Sequence, residues 1–132
     1  MILLSPDQLG FVTVRHLATF TTVPPGGRPH VVPVAFTWDA QHGHARITTR
    51  VTSVKARAIA AGGADGSPLR AALCQVDGRR WLTLEGTVTL SRDPRDVEVA
   101  VEAYARRYRA LAENPERVVV HLTVDRVMGT VR

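Results

Sequence analysis

One cysteine, one lysine and seven aromatic side chains leave several functional classes without material in this chain of 132 residues. A lone thiol, Cys74, cannot close a disulfide within the chain, which excludes a stapled secreted scaffold and agrees with a reducing compartment. With so few rings and no RNP-like or Cys/His pattern, a nucleic-acid reading rests on the net charge of +5 alone, so no nucleic-acid partner is expected. No apolar run is long enough to cross a bilayer, and Ser5-Pro6-Asp7 interrupts the apolar opening before a signal-peptide core could form. The expectation is a cytoplasmic protein with no membrane partner. The sequence holds no Gly-x-Ser-x-Gly elbow, so hydrolase chemistry has no support. His42-Gly43-His44 is the one close pair of histidines and shows no carboxylate or cysteine at ligand spacing, so no metal is expected. Internal repeats and low-complexity tracts are also absent.

What is present describes one folded domain over residues 1–132. A hydrophobic fraction of 45% with 22% charged residues is that of a globular protein, and the length encloses one core. The cations are sixteen arginines against the single Lys55. That bias reflects either codon composition or an anionic partner, but the net positive charge attracts any anion nearby in both cases.

Ser5-Pro6-Asp7-Gln8 has the layout of a capping box with proline at the first helical position, which predicts a short helix to about Val14. Extended runs follow at Leu17–Val23 and His30–Trp38 around Pro24-Pro25-Gly26-Gly27, and at 45–49. Ser53 and Gly62-Gly63 bracket a helix over Val54–Ala61. Strands at Leu69–Val76 and Arg80–Leu90 flank the hairpin signal Asp77-Gly78. A longer helix opens at Asp93-Pro94 and closes at Asn114-Pro115, with Val97, Val101, Tyr104, Tyr108 and Leu111 as a stripe expected to pack in the core. A last strand covers Val118–Asp125. Six strands joined by tight turns, with about three helices, favour a mainly β, antiparallel barrel over a parallel α/β sheet.

The most informative segment runs from Ile47 to Arg57. A strand end passes into a helix start there, so free backbone amides and the positive end of a helix dipole meet hydroxyls, one lysine and two arginines. The segment reads either as a phosphate-binding corner or as a capped helix whose Lys55 and Arg57 are solvated.

The order of His16–Thr22, Arg28–Val34, Thr48–Arg57 and Trp81-Leu82-Thr83-Leu84-Glu85-Gly86 resembles the pyridoxamine-phosphate-oxidase-like split-barrel superfamily. Gln75-Val76-Asp77-Gly78, Ala103–Arg109 and Asn114-Pro115 are similar to its actinobacterial deazaflavin-dependent reductases, although Ala58 stands where relatives often carry asparagine. The resemblance implies a six-stranded split β-barrel with about three peripheral helices, forming a homodimer with cofactor at the subunit interface. It implies that Thr48, Thr49, Ser53, Lys55 and Arg57 hold the cofactor phosphate and tail, and that backbone at Pro33 and Val34 flanks the ring. Gln75 and Trp81 are expected from the facing subunit. The implied cofactor is coenzyme F420, with FMN as the alternative. The implied reaction is hydride transfer to a conjugated small-molecule acceptor such as a biliverdin-like tetrapyrrole, with no side chain marked as catalytic. A non-catalytic F420 carrier and an FMN-binding oxidase-like protein are the other readings.

Overall fold

The computed structural model describes residues 1–132. Its elements follow in the order α1 (Pro6–Thr13), β1 (Ala18–Thr22), β2 (His30–Val34), β3 (Thr37–Asp39), β4 (His44–Arg50), α2 (Val54–Ala61), β5 (Arg70–Asp77), β6 (Arg80–Ser91), α3 (Pro94–Arg107) and β7 (Arg117–Gly129). Local chemistry explains the helix starts. The Ser5 hydroxyl accepts from the Gln8 amide while the Gln8 side chain accepts from the Ser5 amide, Ser53 accepts from Ala56, and Asp93 accepts from Arg95. Gly62, at φ +71°, stops α2 in a conformation that favours glycine.

The strands form one antiparallel sheet of seven, in the order β2-β1-β5-β6-β7-β4-β3. The expected single strand over His30–Trp38 is therefore two strands, and the count is seven rather than six. The cause is a capture of backbone at Phe36. Its carbonyl accepts from Arg107 at 2.6 Å and from the Tyr108 hydroxyl at 3.1 Å, and its amide donates to the Tyr108 oxygen at 3.3 Å. With those groups taken up, Ala35 and Phe36 leave the ladder. β2 and β3 then run on opposite edges of the sheet, so consecutive strands span its whole width, which requires the sheet to curl until its edges approach. Pro33, lacking an N–H, is tolerated because β2 is an edge strand.

The inside of the curl is the core, built from Phe20, Ile47, Leu73, Leu82, Leu84, Val88, Val120 and Leu122, and closed by Phe11 and Val12 of α1 and Ile59 of α2. The hairpin loop between β5 and β6 falls at Gly78-Arg79, one residue later than the sequence signal, because Asp77 pairs with Arg80. β7 extends past Asp125 to Gly129: a bulge opposite Glu85/Gly86 absorbs one residue, after which Arg126 to Gly129 resume pairing with Glu85 to Leu82.

Two expectations for the long helix are corrected. α3 ends at Arg107 rather than near Asn114, because Arg107 and Tyr108 turn their side chains onto Val14, His16 and Phe36. Its stripe is not core either. Ala100 is the one buried residue of α3, whereas Val97, Val101 and Tyr104 are half-buried on a helix that packs against β3, β4 and β7. No helix of the structure is long and apolar enough to cross a membrane.

Candidate functional site

The end of β4, the turn after it and the start of α2 form one wall of a cleft of about 330 Å³. Thr48, Thr49, Arg50 and Lys55 line this wall, Pro33, Val34 and Ala35 form the side, and Tyr104, Leu111, Asn114 and Arg117 close it from the segment around the end of α3. Cross-strand pairing sets the charge pattern. Arg50 lies directly opposite Arg117 on the β4–β7 ladder, and the Val51 amide donates to the Glu116 carbonyl at 2.8 Å, holding the two strand ends together. Like charges facing each other on a ladder repel. Lys55 adds a third cation, and no acidic side chain lines the cleft.

None of these three cations forms an ion pair, although Asp39, Glu85 and Asp125 engage arginines or histidines elsewhere. Burial and then the neighbouring Arg50 charge push the Lys55 ammonium below the ordinary lysine range. The helix start leaves the amides of Val54 and Lys55 without an intrahelical acceptor. The cleft is thus a region of positive potential whose own residues do not neutralise it, and its ligand chemistry is that of a multiply charged anion.

Among the residues expected at the site, Pro33, Val34, Thr48, Thr49 and Lys55 meet in this cleft. Ser53 stands behind it: its hydroxyl accepts from the Ala56 amide at 3.1 Å and from the Thr49 hydroxyl at 3.0 Å, so it orients Thr49 as well as capping α2. Arg57 is exposed further along α2 and does not line the cleft. Gln75 is buried, with 1% of its surface exposed; its amide nitrogen donates to the Phe11 carbonyl at 2.7 Å and its oxygen accepts from Arg107 at 2.7 Å. Both of its polar ends are engaged within its own chain. Trp81 lies half-buried opposite Val76, away from this chain's cleft.

The sequence places Arg50 in the Ile47–Arg57 segment without assigning it a contact, and it leaves Arg117, Asn114, Tyr104 and Leu111 out of the site. Arg50 and Arg117 become neighbours only through the β4–β7 register, which no local pattern shows. The His42-Gly43-His44 turn also differs from expectation, because it does have a carboxylate nearby. Ligand atoms of Asp39, His42 and His44 lie within 4.8 Å of one another. Asp39 is saturated, however: Oδ1 accepts from the Gln41 and His42 amides, and Oδ2 accepts from Arg46 at 2.6 Å and meets His42 Nδ1 at 2.7 Å. The spacing Asp-x-x-His, which brings the carboxylate back over the turn, was the available signal.

The family model described as pyridoxamine 5'-phosphate oxidase matches residues 4–130. The chain is 45% identical over 127 residues to the F420H(2)-dependent biliverdin reductase of Mycobacterium tuberculosis (strain CDC 1551 / Oshkosh), covering 96% of this chain and 88% of the relative. A solved structure described as an F420 reductase superposes with a TM-score of 0.73 at 21% identity, over 95% of this chain and 98% of that one. A conserved hypothetical protein from Mycobacterium tuberculosis superposes with a TM-score of 0.74 at 21% identity, over 97% and 85% of the two chains. At those identities the two structures establish the likeness of fold, and the family match over nearly all of the sequence establishes descent: this chain belongs to the pyridoxamine 5'-phosphate oxidase family.

Proposed function

We propose that the chain is an F420H2-dependent reductase that carries a hydride from reduced deazaflavin to a conjugated small-molecule acceptor and works as a homodimer. The observation that carries this reading is the cleft in which Arg50, Lys55 and Arg117 converge without a single carboxylate. The 45% identity with an F420H(2)-dependent biliverdin reductase supports the same cofactor and a bilin-type acceptor.

The residues fit such a cofactor. Lys55, the Thr48 and Thr49 hydroxyls and the amides opening α2 supply charge-assisted and neutral donors for a phosphate, with Ser53 fixing Thr49 in place. Arg57 extends the positive surface along α2 toward a longer acidic tail. Three clustered cations exceed what one phosphate needs, which favours F420, with its carboxylate-bearing tail, over FMN. The backbone of Pro33 and Val34 offers a flat edge for the ring. When bound, the reduced deazaflavin supplies the hydride; a proton from water completes the two-electron reduction of one conjugated double bond. The protein orients the reactants and excludes solvent.

The homodimer reading rests on the outer face of the sheet. Val31, Thr19, Cys74, Val76, Trp81 and Met128 share that face by register, and Val31, Val76 and Met128 are exposed. A second copy covering it brings Trp81 to the neighbouring cleft, while Gln75 acts from inside its own chain by holding Arg107.

Parallel fluorescence titrations with F420 and with FMN test the cofactor. The expected result is that F420 binds more tightly than FMN and that Lys55→Ala weakens it by about 1.5 to 3 kcal/mol, the loss typical of a charge-assisted hydrogen bond. Tighter binding of FMN, or an unchanged affinity in Lys55→Ala, overturns the assignment. Sedimentation velocity of the purified chain tests the dimer, and a monomer at micromolar concentration excludes it.

A further inference from the structure

A second cavity, of about 500 Å³, opens beside the cationic cleft and shares one wall with it, Tyr104. Arg15, His16 and Leu17, from the segment joining α1 to β1, form one side; Tyr104, Tyr108 and Arg109, at the end of α3, form the other. Its chemistry differs from that of the first cleft. The Tyr104 and Tyr108 rings lie 4.9 Å apart at a tilt of 39°, packed against each other to form an aromatic wall. The Tyr108 ring is fixed in place, since its hydroxyl donates to the His16 carbonyl at 2.8 Å. Leu17, with 57% of its surface exposed, adds an apolar patch opposite the rings. Arg15 and Arg109 stand at the rim, exposed and without any carboxylate partner, and no acidic residue lines the cavity.

Aromatic walls with an apolar patch select a flat, extended π-system, and unpaired guanidiniums at the rim select acidic groups at its margins. Tyr104 lines both openings, so the two sites are neighbours on this chain. Resting on the cofactor reading above, we infer that this cavity holds the acceptor, a planar conjugated molecule bearing two carboxylates, with its π-system against Tyr104 and Tyr108 and its carboxylates on Arg15 and Arg109. These two arginines act as specificity residues that recognise the acid groups.

The test uses the purified chain without cofactor and two probes, biliverdin and its dimethyl ester, in which a methyl on each acid group removes its charge. Equilibrium binding is followed by quenching of tryptophan fluorescence, in the native protein and in the double variant Arg15→Ala/Arg109→Ala. The expected result is that the native protein binds biliverdin at least tenfold more tightly than the ester. In the variant biliverdin falls to the affinity of the ester, while the ester itself is unchanged. A separate titration of the variant with F420 matches the native protein. Equal binding of biliverdin by both proteins overturns the proposal, as does loss of F420 binding in the variant, which would place the arginines in the cofactor site. Failure of the cofactor reading looks different: F420 is not bound by the native protein, while the charge-dependent binding of biliverdin is retained.

Discussion

The Arg107 guanidinium lies 4.6 Å from the centroid of the Phe36 ring and donates to the Phe36 carbonyl at 2.6 Å. The same side chain donates to the Val14 carbonyl at 2.9 Å and to the Gln75 side-chain oxygen at 2.7 Å. One residue at the end of α3 therefore ties together the chain after α1, the crossing between β2 and β3, and the interior of β5. Burial lowers its pKa only from the far end of the scale, so it stays charged throughout the physiological range.

Arg107→Ala leaves the Gln75 oxygen buried without a donor and removes one of the three hydrogen bonds held by the Phe36 backbone. We expect a loss of about 2 to 4 kcal/mol in urea unfolding, the range for removing one partner of buried charge-assisted bonds. Arg107→Lys restores the charge but cannot form the three-way fork, so most of the loss remains.

The imidazole cluster beside β3 makes stability depend on pH. Burial, then the charges of Arg46 and His121, push His44 down to about 4, and burial followed by Arg46 also lowers His121. Both rings take up protons more readily when unfolded, so their contribution is complete above the unfolded value of 6.5 and declines as pH falls below it, in the case of His44 down to about 4. Asp39 acts lower on the scale: burial raises it, but hydrogen bonds from His42 and Arg46 outweigh that effect and hold it well below the carboxylate range. Its share is lost only below the ordinary aspartate value. Urea midpoints measured between about pH 7 and pH 4.5 should fall steadily, and His44→Gln should flatten the slope.

Gly86 lies at the bulge between β6 and β7, where an added Cβ would collide with the Thr123 carbonyl. Because the obstacle is backbone, a rotamer change cannot relieve it. Gly86→Ala should destabilise the fold by about 3 kcal/mol, the upper range for overpacking, and a thermal melt reads the effect directly.

Ser53 serves two partners, and its removal separates a stability effect from a site effect. Ser53→Ala should cost about 1 kcal/mol through the lost cap of α2. It should also weaken F420 binding, because Thr49 loses the acceptor that orients it. Ser53→Asp keeps the cap yet places a negative charge by the cleft, so it should recover stability and lose affinity further.

The contrast between α2 and the β2–β3 crossing shows which parts of this fold are legible in sequence. α2 runs over Val54–Ala61 as its cap and its glycine stop predict, because both signals act within a few residues. The break at Ala35-Phe36 depends on Arg107 and Tyr108, which approach from the far end of α3, so His30–Trp38 reads as one strand. The site divides in the same way. Thr48, Thr49, Ser53 and Lys55 follow from a strand passing into a helix, whereas Arg117 and Tyr104 reach the cleft through tertiary packing alone. The stripe on α3 has the period of a core helix, but periodicity does not tell a buried face from one that lines a cavity.

Placing β2 and β3 on opposite edges of the sheet has a kinetic consequence. The central strands β5, β6 and β7 can pair before the ends of the sheet approach, but Pro33 and Val34 reach the cleft only once the β2–β3 crossing has docked against α3. Docking of that crossing should therefore come late, after most of the sheet has been assembled. An anion bound in the cleft stabilises contacts absent from earlier states, so it should slow unfolding far more than it speeds folding. The lifetime of the folded chain, more than the rate at which it forms, is then set by whether the cleft is filled.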